Sequence, residues 1–285
     1  MIYKTLIDSA TLNSHLGQEN WIVIDCRFSL ADPEAGRRAY EQSHLPNARY
    51  AHLNEDLSGP ITPTTGRHPL PDPARLAHRL GEWGISSATQ VVAYDDMGGM
   101  LAAARLWWLL RWLGHPAVAV LDGGFSAWQK AGLSVTADLP LVRPALFEAR
   151  PDEQLWLTTA QVAALPPTDL LLDARGAARY RGEEEPIDPI AGHIPGAINL
   201  PTEENLAADG RFRSASELRA RFAAVLNGRS PTQIVHQCGS GVTACHNLLA
   251  MEAAGLNGAR LYPGSWSEWI RDTGRPISTG TENGQ

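Results

Sequence analysis

The hydrophobic and polar positions of the chain form two kinds of segment. Short apolar runs, at residues 22–24, 91–93, 170–172 and 234–235, contain no alternating polar positions. Such runs are typical of strands that are buried in a parallel sheet with helices on both faces. The segments between them carry apolar residues at helical spacing, so the pattern predicts an α/β architecture.

Capping signals predict where several of these helices begin. Asp72 precedes Pro73 and a run of apolar residues at helical spacing that Gly84 ends. Residues 158–161 and 214–217 have the Thr/Ser-x-x-Gln/Glu spacing of a capping box, in which side chain and main chain at a helix start satisfy each other. The apolar stretch at 101–113 is too short to cross a bilayer and indicates a buried helix.

The chain repeats one unit, which indicates two duplicated domains. The matches occur in the same order in both halves: Ile22 to Arg27 with Leu170 to Arg175, His44 to Ala48 with His193 to Ala197, Gln90 to Asp95 with Gln233 to Cys238, and Leu121 to Trp128 with Tyr262 to Trp269. Prolines punctuate the stretch between the halves, which lacks helical periodicity. We therefore expect a domain at 1–138, a linker at 139–152 and a second domain at 153–285.

Composition excludes several classes of function. The chain has 285 residues, 44% of them hydrophobic, and a net charge of −7. Its basic residues are scattered, which argues against nucleic acid as a partner because phosphate contacts need a concentrated basic face. The N-terminus lacks the pattern of a secretory signal, and three cysteines do not make a disulfide framework. We expect a cytoplasmic protein with no membrane partner, metal site or cofactor.

Cys238 is the candidate nucleophile. In a parallel α/β sheet the ligand site lies beyond the carboxyl ends of the strands, and Cys238 directly follows the run at 234–237. Gly239 and Gly241 let the loop curl so that main-chain N–H groups point inward, and a helix follows. Such a loop stabilises an anion. Cysteine phosphatases share this arrangement but need an arginine six residues after the cysteine, where this chain has Ala244.

The loop Cys238-Gly239-Ser240-Gly241-Val242-Thr243 is similar to the active-site loop of tandem rhodaneses, in particular the 3-mercaptopyruvate sulfurtransferase branch. The thiosulfate branch tends to have basic residues at the second and third loop positions. The resemblance implies two rhodanese-like domains and sulfur transfer through a persulfide on Cys238, with residues 239–243 in the donor site. Asp95 stands at the cysteine position of the first domain, which the resemblance implies is catalytically inactive.

The resemblance also implies a residue that binds the donor's anionic group. Arg179 matches a family arginine with this role, and a guanidinium suits carboxylate or sulfonate oxygens. The mercaptopyruvate branch usually has a second arginine in a Glu-Pro-Arg segment, where this chain has Ile187. Arg181 is a candidate substitute. The donor therefore stays open between mercaptopyruvate, which the loop favours, and thiosulfate.

Other residues have two interpretations each. His44 either takes part in a relay with Ser240 or shares a structural role with its repeat partner His193. Ser240 either orients the donor or supports the loop, and Thr243 is a helix cap as well as a site residue. For Trp266 we consider a single role, which is to cover the donor pocket.

These residues favour a sulfurtransferase that moves sulfur from a small anionic donor to a thiol or cyanide acceptor, with a thioredoxin-type protein as a further candidate acceptor. Two alternatives remain. A thiosulfate:cyanide sulfurtransferase would use the same nucleophile. A non-catalytic rhodanese-fold binding module would explain the repeat, although such modules usually lack the cysteine.

Overall fold

The computed structural model describes residues 2–281, and the chain divides into two compact units. The first unit comprises the residues through Gly59, Pro71–Asp152 and Leu206–Phe212; the second comprises Pro60–Leu70, Glu153–Asn205 and the residues from Arg213 onward. The stretch at 139–152, interpreted above as a linker, contains neither helix nor strand and lies with the first unit. There the Ala145 N–H donates to the Gly81 carbonyl at 2.9 Å.

Two segments lie outside the predicted domain limits. Residues 60–70 belong to the second unit, where the Arg67 N–H donates to Ser267 Oγ at 3.1 Å. Residues 206–212 belong to the first unit, where the Phe212 N–H donates to Asp122 Oδ1 at 2.8 Å. Periodicity along the chain could not predict which unit these two segments join, because contacts between residues far apart in sequence determine it.

The first unit contains a parallel sheet with the order β1–β5–β4–β2–β3. Its elements are β1 (Leu6–Ile7), α1 (Ser9–His15), β2 (Trp21–Asp25), α2 (Ala35–Gln42), β3 (Arg49–Tyr50), α3 (Pro73–Glu82), β4 (Gln90–Tyr94), α4 (Ala102–Trp112), β5 (Val118–Leu121) and α5 (Gly124–Lys130). Val92 and Tyr94 of β4 pack with residues of α1, α2 and α5, while α4 lies against β4 and β5.

The second unit contains a parallel sheet with the order β7–β6–β8–β9. Its elements are α6 (Thr159–Ala163), β6 (Leu170–Asp173), α7 (Ala177–Arg181), β7 (Ile198–Asn199), α8 (Ala215–Leu226), β8 (Ile234–Gln237), α9 (Ala244–Ala253), β9 (Arg260–Leu261) and α10 (Ser265–Trp269), with short 3-10 helices at Glu153–Leu155, Thr202–Asn205 and Pro231–Gln233.

Helices cover both faces of this sheet, as the lack of polar alternation predicts. Val235 of β8 packs with Tyr180 of α7 and Trp266 of α10. Its neighbour His236 points the other way, with Nε2 at 3.0 Å from Met251 Sδ of α9. The α/β prediction with parallel sheets is therefore confirmed. None of the helices in residues 2–281 has the length and apolar character that crossing a bilayer requires.

The predicted local signals have the expected structures. Asp72 accepts a hydrogen bond from the Arg75 N–H, and both capping boxes form at 158–161 and 214–217. Asp173, at the end of β6, forms a buried ion pair with Arg175 at 2.6 Å, which matches the Asp25–Arg27 pair of the first unit. These pairs fix the main chain at the ends of the strands, beside the loops that follow.

Candidate active site

Cys238 lies directly after β8 and is held by the segment that begins α10. The Cys238 N–H donates to Ser265 Oγ at 3.1 Å, and the Cys238 carbonyl accepts from the Trp266 N–H at 3.0 Å. The next carbonyl, of Gly239, accepts from the Ser267 N–H at 2.9 Å. Cys238 is only 1% exposed, so these bonds hold the main chain of a buried cysteine.

The loop from Cys238 to α9 curls because Gly241 allows it. Gly241 has a φ of +73°, and a Cβ there would lie 2.3 Å from the Pro263 carbonyl oxygen. Within the described part of the chain, the main-chain N–H groups of Ser240, Val242 and Thr243 donate to no main-chain carbonyl. These donors precede the N-terminus of α9, and such a group of N–H donors favours an anion.

The first unit shows how the equivalent loop binds an anion. Its Asp95 carboxylate accepts hydrogen bonds from the main-chain N–H groups of Met97 (2.9 Å), Gly99 (2.7 Å), Leu101 (3.2 Å) and Ala103 (3.4 Å). Burial raises the pKa of Asp95 to about 6, although the hydrogen bonds oppose this shift. Asp95 stands at the position of Cys238 in the repeat, so an anionic group on Cys238 would meet a similar set of main-chain N–H groups.

Two guanidinium groups reach the loop beside Cys238. A Cβ on Gly239 would lie 2.8 Å from Arg67 Nη2 and 3.6 Å from Arg179 Nη2. Arg67 forms an ion pair with Asp188. Burial lowers the pKa of Arg67, while the nearby Cys238 acts in the opposite direction. Two guanidinium groups at this position can hold a carboxylate or sulfonate beside Cys238.

Carboxylates fix the second of these arginines. Arg179 donates from Nε and Nη2 to Glu185 Oε1 at 3.1 and 2.6 Å. Its Nη2 also lies 3.3 Å from Asp188 Oδ2. Glu185 in turn accepts the main-chain N–H groups of Ile187 and Asp188. Only the main chain of Ile187 takes part in this turn, and its side chain is 41% exposed. The second guanidinium beside Gly239 comes from Arg67.

The Ser240 side chain has a histidine partner. His68 Nδ1 lies 2.8 Å from Ser240 Oγ, and both residues are buried. When His68 Nδ1–H donates to Ser240 Oγ, the hydroxyl hydrogen remains available to donate to a carbonyl oxygen of a donor. The site thus combines a thiol, two guanidinium groups and a paired serine and histidine.

Comparison with known proteins agrees with this geometry. The model of the rhodanese-like domain matches residues 8–131 and 158–272. The chain belongs to the rhodanese family. It is 50% identical to the "Probable 3-mercaptopyruvate sulfurtransferase" of Pseudomonas aeruginosa, over 96% of this chain and 98% of that protein. It is 36% identical to the thiosulfate sulfurtransferase of Cricetulus griseus, over 87% of this chain and 84% of that protein.

A solved structure agrees with the fold. The 3-mercaptopyruvate sulfurtransferase from Leishmania major superimposes with a TM-score of 0.83 at 34% identity, and the match covers 93% of this chain and 74% of that chain. The resemblance to tandem rhodaneses that the loop and the repeat indicated is thus confirmed.

Some predicted site residues have other partners in the structure than the loop. His44 lies in the first unit, where its ring nitrogens are 2.6 Å from the Tyr40 carbonyl and 3.1 Å from that of Asp138. Because His193 makes the equivalent contact with the Tyr180 carbonyl at 2.8 Å, the shared structural role explains both histidines. The Ser240 hydroxyl contacts His68, whereas both ring nitrogens of His44 contact main-chain carbonyls of the first unit.

Three other candidates also differ from expectation. Arg181 pairs with Glu183 at 2.7 Å, so it does not replace the missing arginine. Trp266 has no exposed surface, and its Nε1 donates to the Ile190 carbonyl at 2.8 Å. It belongs to the core rather than covering a pocket. Thr243 precedes α9 without a capping hydrogen bond from its side chain.

Sequence reasoning missed Arg67 and His68, which lie between Gly66 and Pro69 in a segment without helix or strand. The available signal was an arginine and a histidine side by side in a proline- and glycine-containing loop. Their partners are 121 and 172 residues away, so spacing could not connect them to Cys238.

Proposed function

We propose that this rhodanese transfers sulfur from 3-mercaptopyruvate to a thiol or cyanide acceptor through a persulfide on Cys238. The observation that carries the proposal is the convergence of Arg67 and Arg179 on Gly239, beside the nucleophile. Two guanidinium groups suit one carboxylate. The Ser240 hydroxyl, paired with His68, adds a donor for the ketone oxygen.

The first half of the reaction transfers the sulfur. The Cys238 thiolate attacks the sulfur of the donor, a sulfur–sulfur bond forms and the carbon–sulfur bond breaks. The electron pair of the broken bond moves to the donor's carbon as the enolate of pyruvate, and Ser240 stabilises its oxygen by a hydrogen bond. A proton then converts the enolate to pyruvate, and Cys238 retains the transferred sulfur as a persulfide.

The second half returns the enzyme to its first state. An acceptor thiolate or cyanide attacks the outer sulfur of the persulfide, and the electron pair of the sulfur–sulfur bond returns to Cys238 as a thiolate. The main-chain N–H groups of the loop stabilise this anion in both half-reactions. A small thiol is the simplest acceptor, and a thioredoxin-type protein would supply the same group.

Thiosulfate is the second candidate donor. The same guanidinium pair suits sulfonate oxygens, and a relative at 36% identity is named thiosulfate sulfurtransferase. The loop from Gly239 to Thr243 contains no cation for a second negative charge. This favours mercaptopyruvate, and kinetics with both donors and one acceptor distinguish the two.

A cytoplasmic location suits this chemistry. Cys26, Cys238 and Cys245 are all free thiols, and a reducing compartment keeps a nucleophilic thiol available. Fractionation of cells that produce the natural protein tests the location, and recovery from an oxidising compartment would contradict it.

Cysteine substitution tests the mechanism. We expect Cys238→Ser to abolish sulfur transfer from either donor. Cys245→Ser and Cys26→Ser are matched controls, because both thiols are buried in packing and Cys245 Sγ contacts the Gly241 carbonyl at 3.4 Å. Steady-state assays of the three variants, with the fold checked by circular dichroism, give the answer. Sulfur transfer by Cys238→Ser at the rate of the unsubstituted protein would contradict the proposal.

A further inference from the structure

A buried aspartate lies between the two guanidinium groups of the site. The Asp188 carboxylate forms an ion pair with Arg67 through Oδ1 and lies 3.3 Å from Arg179 Nη2 through Oδ2. Its side chain is 3% exposed. Its main-chain N–H donates to Glu185 Oε1 at 3.0 Å, which fixes the carboxylate in this position.

The contacts of Asp188 differ from those of Glu185, the other carboxylate at the site. Glu185 accepts two main-chain N–H groups and also contacts Arg175 at 3.5 Å, so it holds the turn together. The contacts of the Asp188 carboxylate in the described residues are with the two arginines that reach Gly239. Its charge therefore acts mainly on the groups that would bind a donor.

The ion pairs of the site form one chain of alternating charge. It runs in the order Asp173, Arg175, Glu185, Arg179, Asp188, Arg67. Three guanidinium groups and three carboxylates give a sum of zero, and a Cys238 thiolate makes it −1. A donor therefore meets a site that has arginines to bind it but no excess of positive charge.

We propose that Asp188 determines which donor charge the site accepts, because it favours a donor with a single carboxylate over dianionic thiosulfate. This inference rests on the proposed sulfur transfer. A monoanion can share the two guanidinium groups with Asp188. A dianion brings one more negative charge close to the Asp188 carboxylate and the thiolate, and the loop has no cation to compensate it.

Charge repulsion of this kind is large enough to measure. One additional unit charge a few ångströms away in a partly hydrated site changes affinity by about tenfold. Asp188→Asn removes the charge and keeps an oxygen that can accept hydrogen bonds from the arginines. We expect the ratio of kcat/KM for thiosulfate to that for mercaptopyruvate to rise by about tenfold in this variant.

Glu183→Gln is the matched control, because it removes the same charge from an exposed pair with Arg181 in the same segment. We expect it to change the ratio by less than about twofold, as screened surface charges do. Both variants are assayed with both donors and with cyanide as the common acceptor. An unchanged ratio in Asp188→Asn, with both donors still used, would overturn the inference.

Inhibition by unreactive anions tests the same point without sulfur transfer from the variant. For the unsubstituted protein we expect pyruvate, a monoanion, to compete with the donor at lower concentration than sulfate. Tighter competition by sulfate would overturn the inference even if Asp188→Asn did not fold. If neither donor transferred sulfur to the unsubstituted protein, the proposed function would fail. Calorimetry of pyruvate and sulfate binding to the unsubstituted protein and to Asp188→Asn would still test the role of Asp188.

Discussion

Replacement of Arg67 tests whether this residue supplies the second guanidinium of the donor site. We expect Arg67→Gln to raise KM for mercaptopyruvate, because one of two guanidinium groups beside Gly239 is lost. A charge-assisted hydrogen bond contributes about 1.5–3 kcal/mol, which corresponds to roughly 10- to 150-fold in binding. We expect kcat to change less, since the carboxylate is remote from the sulfur that is transferred.

The ion pair with Asp188 adds to this effect. Without Arg67, the Asp188 carboxylate keeps its contact with Arg179 but loses its other partner, and its charge then repels the donor. The double variant Arg67→Gln/Asp188→Asn should therefore recover part of the lost affinity. A double-mutant cycle on KM measures the coupling between the two residues.

Arg181→Gln is the control, because Arg181 is directed to Glu183. Steady-state kinetics of the variants with mercaptopyruvate and a fixed acceptor give KM and kcat separately. The assignment would be refuted if Arg67→Gln left KM unchanged while Arg181→Gln raised it.

Three further predictions concern single residues. Ser240→Ala should lower kcat with mercaptopyruvate by roughly 10²- to 10³-fold, as loss of an oxyanion donor does, and His68→Phe should lower it in the same direction. Equal losses with thiosulfate, which has no ketone, would contradict this. Burial raises the pKa of Asp95 from 3.8 to about 6, so its contribution to stability is greatest below pH 4 and falls by about 3 kcal/mol as the pH rises through 6. In Asp95→Asn the free energy of unfolding, measured with denaturant, should lack this pH dependence. If the free energies of both proteins changed in parallel with pH, Asp95 would not be its source. Ser265 has a φ of +53°, which strains the backbone of a non-glycine residue by about 1–2 kcal/mol. Ser265→Gly should therefore unfold at a higher temperature than Ser265→Ala, and equal melting temperatures would contradict this.

Local patterns in the sequence were sufficient to predict the strand and the helix on either side of the Cys238 loop. The predicted strand at 234–237, the two glycines and the following helix place Cys238 at a strand end, and the structure has β8 and α9 at these positions. Buried pairs such as Asp173–Arg175 were also predictable, because both residues lie within one strand end and recur in the repeat.

Contacts between distant segments were not predictable from the sequence. Arg67 and His68 lie in the first half of the chain, yet residues 60–70 pack with the second unit. The sequence therefore indicated His44 as the histidine partner of Ser240, because His44 lies in a motif that the two halves share. The repeat predicted the fold that the two units share. It could not indicate Arg67 and His68, because they lie outside the repeated motifs.

The sulfur state of Cys238 tests the central claim most directly. The protein is incubated with mercaptopyruvate or thiosulfate without an acceptor, and its peptides are analysed by mass spectrometry. We predict a gain of one sulfur atom on the peptide that contains Cys238, which cyanide or a thiol removes and which Cys238→Ser lacks. Absence of the added sulfur with both donors, or its location on Cys26 or Cys245, would contradict the mechanism.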